Sequence, residues 1–355
     1  MGNVIIGTGS YLPEQVVTNA DIEADAEDFS REKAHGASMD QWAREHHGGV
    51  TRHHVAPGEA TSDMATQAAR RALADSGVHI KDVDLIVMST VTNDYRLPQA
   101  AGIVQANLSS KAKFIQVDAG CSGFVDSLMV AHGLMETQGY ETALVIGADT
   151  LTYFNDPKKF MPRTVFGDGA GATVLHKKRD TDYGVKSFST GSDGDLGDYV
   201  WVPGGASKKP FSQDVLDNGL HYWRFRFPDI YTWAVERMTR CTLEVVKKSG
   251  LTLDDIKWVV PHQASVNIVL DVAKRLELPE EMFIITYPHT GNLSSASIPI
   301  ALDEANSQSK FNDGDWLVLP AVGAGMAWGA VTYRWHDYKA GRNGHAGANG
   351  SSGGG

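Results

Sequence analysis

The sequence predicts an α/β protein built from two related halves. Three observations carry that prediction: short apolar runs alternate with helical stretches, a Ser-Gly phrase followed by a strand occurs twice, and a glycine-rich phrase also occurs twice, in the same order. Residues 84–88, 113–117 and 143–146 are short, largely apolar and rich in Val, Ile and Leu, and read as buried strands. Residues 65–75 and 123–138 carry apolar side chains at helical spacing. Ser76-Gly77-Val78 closes the first helix, and Asp82-Val83-Asp84-Leu85-Ile86-Val87 opens a strand. The phrase returns after the helical run 231–248 as Ser249-Gly250-Leu251, then Asp255-Ile256-Lys257-Trp258-Val259-Val260. The second echo pairs residues 166–174 with residues 322–330, two stretches of Gly, Ala and Val. Ser-Gly alone is a common helix stop, but two echoes in one order point to internal duplication. The expected division is 1–185 and 186–338, followed by a disordered tail, 339–355, made mostly of Gly, Asn, Ala and Ser.

Of the 355 residues, 42% are hydrophobic and 21% charged, close to the globular average, which excludes disordered and fibrous classes. With 32 Lys+Arg against 43 Asp+Glu, the net charge of −11 argues against nucleic acid as a partner. No apolar run approaches the ~18 residues of a membrane helix. The start, Met1-Gly2-Asn3-Val4-Ile5-Ile6, has no basic segment of a secretory signal. Two cysteines are too few for a disulfide framework and fit a reducing compartment. A cytoplasmic protein with no membrane partner is expected.

Cys121 closes one expected strand and opens a helix, in Asp118-Ala119-Gly120-Cys121-Ser122-Gly123-Phe124. A thiol at a helix N-terminus feels the positive end of the dipole, which favours the nucleophilic thiolate. A single cysteine is more often buried and inert, and Cys241, inside the helical run 236–242, is read that way. Among 13 histidines, His46-His47 and His53-His54 lie in a polar, glycine-containing stretch. They lack a Cys or carboxylate frame, so solvated surface fits them better than metal ligation. His262 follows the strand Trp258-Val259-Val260, in Pro261-His262-Gln263-Ala264-Ser265, ahead of a helix over 266–276. An α/β sheet presents side chains to a ligand at such strand ends. Asn292, in Gly291-Asn292-Leu293-Ser294-Ser295-Ala296-Ser297, sits in a tight turn before a helix of small residues, where cap or turn chemistry explains an Asn equally well. As a set, Cys, His and Asn at three junctions have a mechanism. The thiolate attacks a thioester or amide carbonyl, and His and Asn donate to developing oxyanions or enolates. Gly167-Asp168-Gly169-Ala170-Gly171 lacks the Lys-Ser/Thr of a phosphate loop and leads into a strand, so close packing in a hairpin is expected.

These phrases resemble, in order, those of the ketoacyl-acyl-carrier-protein synthase III family of the thiolase superfamily. The matching stretches are Ile6-Gly7-Thr8-Gly9-Ser10-Tyr11-Leu12-Pro13-Glu14, the Cys121 phrase, Phe166-Gly167-Asp168-Gly169-Ala170-Gly171, Val260-Pro261-His262-Gln263-Ala264, the Asn292 phrase and Trp328-Gly329-Ala330. Each is weak alone; the ordered set, over about residues 3–335, is specific. The resemblance implies a five-layered αβαβα thiolase-like fold of two duplicated halves, a homodimer, and an acyltransferase of the condensing type, as in fatty-acid biosynthesis. Cys121 takes an acyl group from a primer on coenzyme A or on an acyl carrier protein. His262 and Asn292 then hold the carbonyl of a malonyl thioester, carried by the acyl carrier protein, while it loses carbon dioxide. The enolate attacks the acyl-Cys and a β-ketoacyl thioester leaves. Backbone N–H groups of Cys121 and Ala324 match the oxyanion-hole positions, and Leu97 matches a position that shapes the acyl pocket of a dimer partner. No metal and no redox cofactor is implied.

The match departs from the family around the substrates. Trp42 matches a tryptophan that stacks on the adenine of coenzyme A, but its basic partner falls on His46 or His47. A family arginine falls on Phe160, beside Lys158, Lys159 and Arg163; a further basic position is Asn267; and a carrier-docking lysine falls on Thr232. Lys247, Lys248, Lys274 and Arg275 are candidates for a basic patch facing an acidic carrier, or are solvated helix faces. The segment 24–39 is longer than the family's usual connection. A specialised member, acting on a medium-length or unusual acyl group in secondary metabolism, is therefore expected. The alternative within the fold, acyl transfer to an alcohol or amine, often alters the Cys-His-Asn set, which is complete here. A papain-like protease shares the three residue types but lacks duplicated halves and is typically disulfide-bonded.

Overall fold

The structure, a computed structural model, describes residues 2–226 and 228–339. The tail expected over 339–355 lies, from residue 340 on, outside the described residues. Nine strands form two main sheets, numbered here in chain order: β1 Gly2–Tyr11, β2 Leu85–Ser89, β3 Lys113–Val117, β4 Thr142–Thr150, β5 Asp168–Lys178, β6 Gly184–Ser192, β7 Ile256–Val259, β8 Trp316–Gly323 and β9 Ala327–Arg334. The first sheet runs β3-β2-β4-β5-β1 and the second β7-β8-β9-β6.

The two sheets follow one plan. In the first, β1 and β5 pair antiparallel, β5 and β4 antiparallel, β4 and β2 parallel, and β2 and β3 parallel. In the second, β6–β9 and β9–β8 are antiparallel and β8–β7 is parallel. A single parallel bridge from Val259 to Phe283 stands where β3 stands in the first sheet. Both repeated phrases occupy matching places: the Ser-Gly copies precede β2 and β7, and the glycine-rich copies lead into β5 and β9. The chain passes from one sheet to the other between Lys178 and Gly184.

Apolar packing sorts the helices into three layers. Thr61–Ser76 and Ala100–Asn107 bury Met64, Ala68, Ala72 and Val104 against the outer face of the first sheet. Gly123–Gln138 and Ser297–Ser307 lie between the sheets, where Phe124, Leu128, Ile298 and Leu302 join Val87, Val145, Leu319 and Val331. Asp229–Lys248 and Val266–Leu276 cover the outer face of the second sheet through Met238, Val245, Val269 and Val272. The order is αβαβα. Such sandwiching hides both faces of the inner strands β2, β4, β5 and β8, while the edge strands β3 and β6 stay half-buried.

The glycines of 167–171 do pack closely, but the reason differs from the one expected. Strands β4 and β5 are antiparallel neighbours joined by a long connection rather than a tight hairpin. A Cβ on Gly167 would lie 2.6 Å from the Thr290 carbonyl, and one on Gly171 2.7 Å from the Ile300 amide. Their glycines let the second half approach the first.

Candidate active site

The site forms where the N-termini of the two central-layer helices meet. Cys121 lies in the short 3-10 turn Gly120–Ser122 that feeds Gly123–Gln138, and Ser294–Ala296 feeds Ser297–Ser307 in the same way. A Cβ on Gly123 would stand 3.5 Å from Ser295 Cβ, so the two helix starts touch. Two positive dipole ends therefore face one spot, which favours any negative charge developing there. The Gly323–Ala324 turn closes the third side: a Cβ on Gly323 would lie 2.8 Å from the Cys121 amide nitrogen, and one on Gly120 3.2 Å from the Ala324 amide nitrogen.

Ser294 connects the three residues singled out in the sequence. Its amide donates to Asn292 Oδ1 at 2.8 Å, the turn chemistry expected of an Asn, and this leaves the Asn292 Nδ2 without a hydrogen bond among the described residues. Its carbonyl accepts from Ser297 Oγ at 2.8 Å, and that same hydroxyl lies 2.8 Å from His262 Nδ1. Its own buried hydroxyl has no well-formed partner and adjoins the Cys121 thiol. With its O–H turned to the Ser294 carbonyl, Ser297 accepts from Nδ1–H; turned to Nδ1, it leaves the hydrogen on Nε2. The His262 ring also meets the Ser294 carbonyl.

Burial sets the resting charges. It pushes the Cys121 thiol up to about 12, although the Ser294 hydroxyl and the amides of Cys121 and Ala324 pull the other way, and the Asp149 carboxylate adds a further push upward. It pushes His262 down to about 3. The resting pair is thus a neutral thiol beside a neutral imidazole. The thiol is under two opposed influences: helix starts and amides that favour the thiolate, and burial that disfavours it. Cys241 is buried, with its thiol turned to the Met238 and Gly329 carbonyls, as an inert residue would be.

The residues expected at the substrate entrance divide. Trp42 lies in the helix Met39–His46, stacked on His46 at 4.1 Å, with Phe160 edge-on at 5.0 Å. Asn267 joins them by donating to the Glu45 and His46 carbonyls. Leu97 is not among the contacts of this group; it stands 77% exposed beside the similarly bare Tyr95. The long segment 24–39 packs Phe29 on Phe160 at 5.2 Å and brings Asp25 to Arg163 (2.7 Å), Glu27 to Lys158 (3.2 Å) and Asp28 to Lys159 (3.7 Å).

His47 is a correction. It is 5% exposed rather than solvated, with Nε2 at 3.3 Å from Thr164 Oγ1 and Nδ1 at 3.2 Å from both the Gly49 amide and the Tyr287 hydroxyl. Burial pushes it down to about 3, and pushes His54 down to about 4. Among the described residues no group of three or more His, Cys, Asp or Glu is placed to hold a metal ion, and no helix is long and apolar enough to cross a membrane. Sequence reasoning missed Ser294, Ser297 and Asp149; the first two lie inside the Asn292 phrase, which was the available signal.

Two family models match: 3-oxoacyl-[acyl-carrier-protein] synthase III over residues 115–194 and its C-terminal model over residues 246–335. The beta-ketoacyl-[acyl-carrier-protein] synthase III of Caldanaerobacter subterraneus is 38% identical over 332 residues, 93% of this chain and 97% of its own. The solved 3-oxoacyl-(acyl carrier protein) synthase III of Pseudomonas aeruginosa superposes with a TM-score of 0.85 at 33% identity, covering 95% of this chain and 99% of that one. A priming beta-ketosynthase from a polyketide pathway superposes with a TM-score of 0.84 at 26% identity, covering 95% and 97%. With its two thiolase-like halves and a relative 38% identical over nearly its whole length, the chain belongs to the 3-oxoacyl-[acyl-carrier-protein] synthase III family of acyltransferases.

Proposed function

We propose that the protein condenses an acyl group held on Cys121 with a malonyl thioester. The observation that carries this reading is the meeting of Cys121, His262 and Asn292 around Ser294, at two helix N-termini. In the first stage the Cys121 sulfur bonds to the thioester carbon, the amides of Cys121 and Ala324 hold the oxyanion, and the departing thiol carries away the proton. In the second, the free amide of Asn292 and the Nε2–H form of His262, supported by a Ser297 hydroxyl turned to Nδ1, donate to the malonyl thioester carbonyl. The carboxylate leaves as carbon dioxide, its bonding electrons become the enolate, and the enolate carbon attacks the acyl-Cys. Cys121 is released as thiolate and takes up one proton. Every step is carried by side chains and backbone amides, with no metal or redox group involved.

The primer is proposed to arrive on a carrier-protein arm rather than on coenzyme A. All three cations beside Phe160 are already paired with carboxylates of the 24–39 segment, so a polyanionic nucleotide meets little free positive charge at Trp42. A second copy of the chain is proposed to cover the exposed Tyr95 and Leu97. Intact-protein mass after incubation with acyl thioesters tests the core reading. Wild type gains one acyl group and Cys121→Ala gains none; His262→Ala and Asn292→Ala still load but release no carbon dioxide from the malonyl thioester. Normal condensation by Asn292→Ala refutes the assigned role.

A further inference from the structure

We propose that Asp149 is a positioning residue: its carboxylate fastens the end of β4 in the first half to the Ser294–Ser295 turn of the second, and so fixes Asn292 and Ser297 relative to Cys121. This inference rests on the condensing reading above. Asp149 is fully buried, and its two oxygens serve different halves of the molecule. Oδ1 accepts from Thr90 Oγ1 (3.0 Å), the Val91 amide (2.8 Å) and Thr92 Oγ1 (3.2 Å). Oδ2 accepts from the Ser295 amide (3.2 Å) and Ser295 Oγ (2.8 Å). From Ser295 the linkage is short: the preceding residue holds Asn292 through its amide, and its carbonyl holds Ser297, which meets His262 Nδ1.

Burial raises the Asp149 carboxyl above its usual value, against the pull of the Val91 amide and the Ser295, Ser294 and Thr90 hydroxyls; the ionised form is the one that satisfies this geometry, since each oxygen faces a backbone N–H that can only donate. An amide in its place has one accepting oxygen and one donating nitrogen, so it opposes either the Val91 or the Ser295 N–H. The anion also has a cost to the nucleophile, because its negative charge opposes the thiolate. A group kept beside a nucleophile despite that charge serves geometry rather than thiol activation. Asp118 and Asp126 flank the same turn, and His262 stays neutral above about pH 3; Asp168, opposite Thr150 in the ladder and raised to about 6, feels the Asp149 charge as well and shifts down when that charge is removed.

The test compares wild type, Asp149→Asn and Ser295→Ala for acyl loading by intact mass, for condensation of the loaded enzyme, and for the pH profile of Cys121 alkylation. The expected outcome has opposite signs in Asp149→Asn: alkylation shifts to lower pH as the charge goes, while condensation falls about a hundredfold, the effect of displacing reacting groups by about 1 Å. Ser295→Ala keeps the charge, so it should slow condensation with no shift of the profile. Condensation at the wild-type rate in either variant overturns the inference, as does an Asp149→Asn protein that loses loading and condensation equally with its profile unmoved. Should Asp149→Asn not fold, Ser295→Ala decides by itself. A wild type that fails to load or condense overturns the parent reading in its own arm.

Discussion

Replacing Gly147 with alanine probes the seam between the halves from the strand side. Gly147 lies in β4, with Ser89 of β2 and Gly171 of β5 as its two ladder partners, so its backbone has neighbours on both sides. A Cβ there would stand 2.2 Å from the Ser295 carbonyl oxygen and 2.7 Å from its carbon. Ordinary contact begins near ~3.4 Å, so the turn must retreat by about 1 Å, because a central strand in a close-packed interior cannot. Overpacking of this kind costs about 1–3 kcal/mol of stability. The same displacement moves Asn292 and Ser297 away from Cys121, and about 1 Å of misplacement costs on the order of a hundredfold in rate. Acyl loading should suffer less, since Cys121 rides on the other helix. The control is Gly133→Ala, at an exposed helical glycine with nothing within 4 Å, which should gain about 0.5–1 kcal/mol. Urea unfolding gives the stability of each variant, intact mass the loading, and carbon dioxide release the condensation. A Gly147→Ala enzyme with wild-type stability and condensation would refute the tight seam.

Acidification offers an independent check. His47 and His262 are held near 3 and His54 near 4 by burial, so between about pH 4 and 6.5 the unfolded chain binds more protons than the folded one at all three. Stability contributed by their neutral forms is therefore lost as pH falls through 6.5, by about 2 kcal/mol each at pH 5. Asp168, raised to about 6 by burial, works in the opposite direction by roughly 1 kcal/mol. Urea unfolding should show a net loss of about 5 kcal/mol between pH 7.5 and 5, and His47→Gln should remove about 2 kcal/mol of it; a flat profile contradicts the buried neutral rings. At the entrance, the triple change Asp25→Asn, Glu27→Gln and Asp28→Asn frees Lys158, Lys159 and Arg163. It should lower KM for acyl-coenzyme A several-fold in a salt-dependent way and leave acyl-pantetheine loading unchanged; an equal effect on both donors places the nucleotide elsewhere.

What the sequence displays is local. Gly123–Gln138 and Val266–Leu276 form as their apolar spacing predicts, because each buries the side chains that set the pattern; Lys113–Val117 forms as a strand but only half-buries Phe114, Ile115 and Val117, because it lies at the sheet edge. The duplication shows for the same reason: both copies of each phrase occupy one place in one strand order. The unread features depend on partners distant in the chain. His47 sits in a polar doublet, and its burial comes from Thr164 and Tyr287. Asp149 ends a strand without any motif, and its five donors come from residues 90–92 and 295. The ion pairs of Asp25, Glu27 and Asp28 in the long 24–39 segment form across more than a hundred residues.

At the Cys121 thiol a local preference and tertiary burial act in opposite directions. A helix start favours thiolate, yet the pocket holds the resting sulfur protonated and adds a buried anion beside it. The two facts reconcile if the helix ends and amides act on charge that appears only during reaction. Negative charge resides briefly on sulfur, then on a carbonyl oxygen, then on an enolate, and two helix N-termini with two backbone N–H groups meet each in turn. Interactions that are stronger in the transition state than in the resting enzyme are the ones that raise the rate. A protonated resting thiol forgoes nothing by that account, and it gives alkylating or oxidising agents little thiolate to attack. Duplication supplies the geometry: each half contributes one central helix, and only at the seam do two helix starts face the same atom.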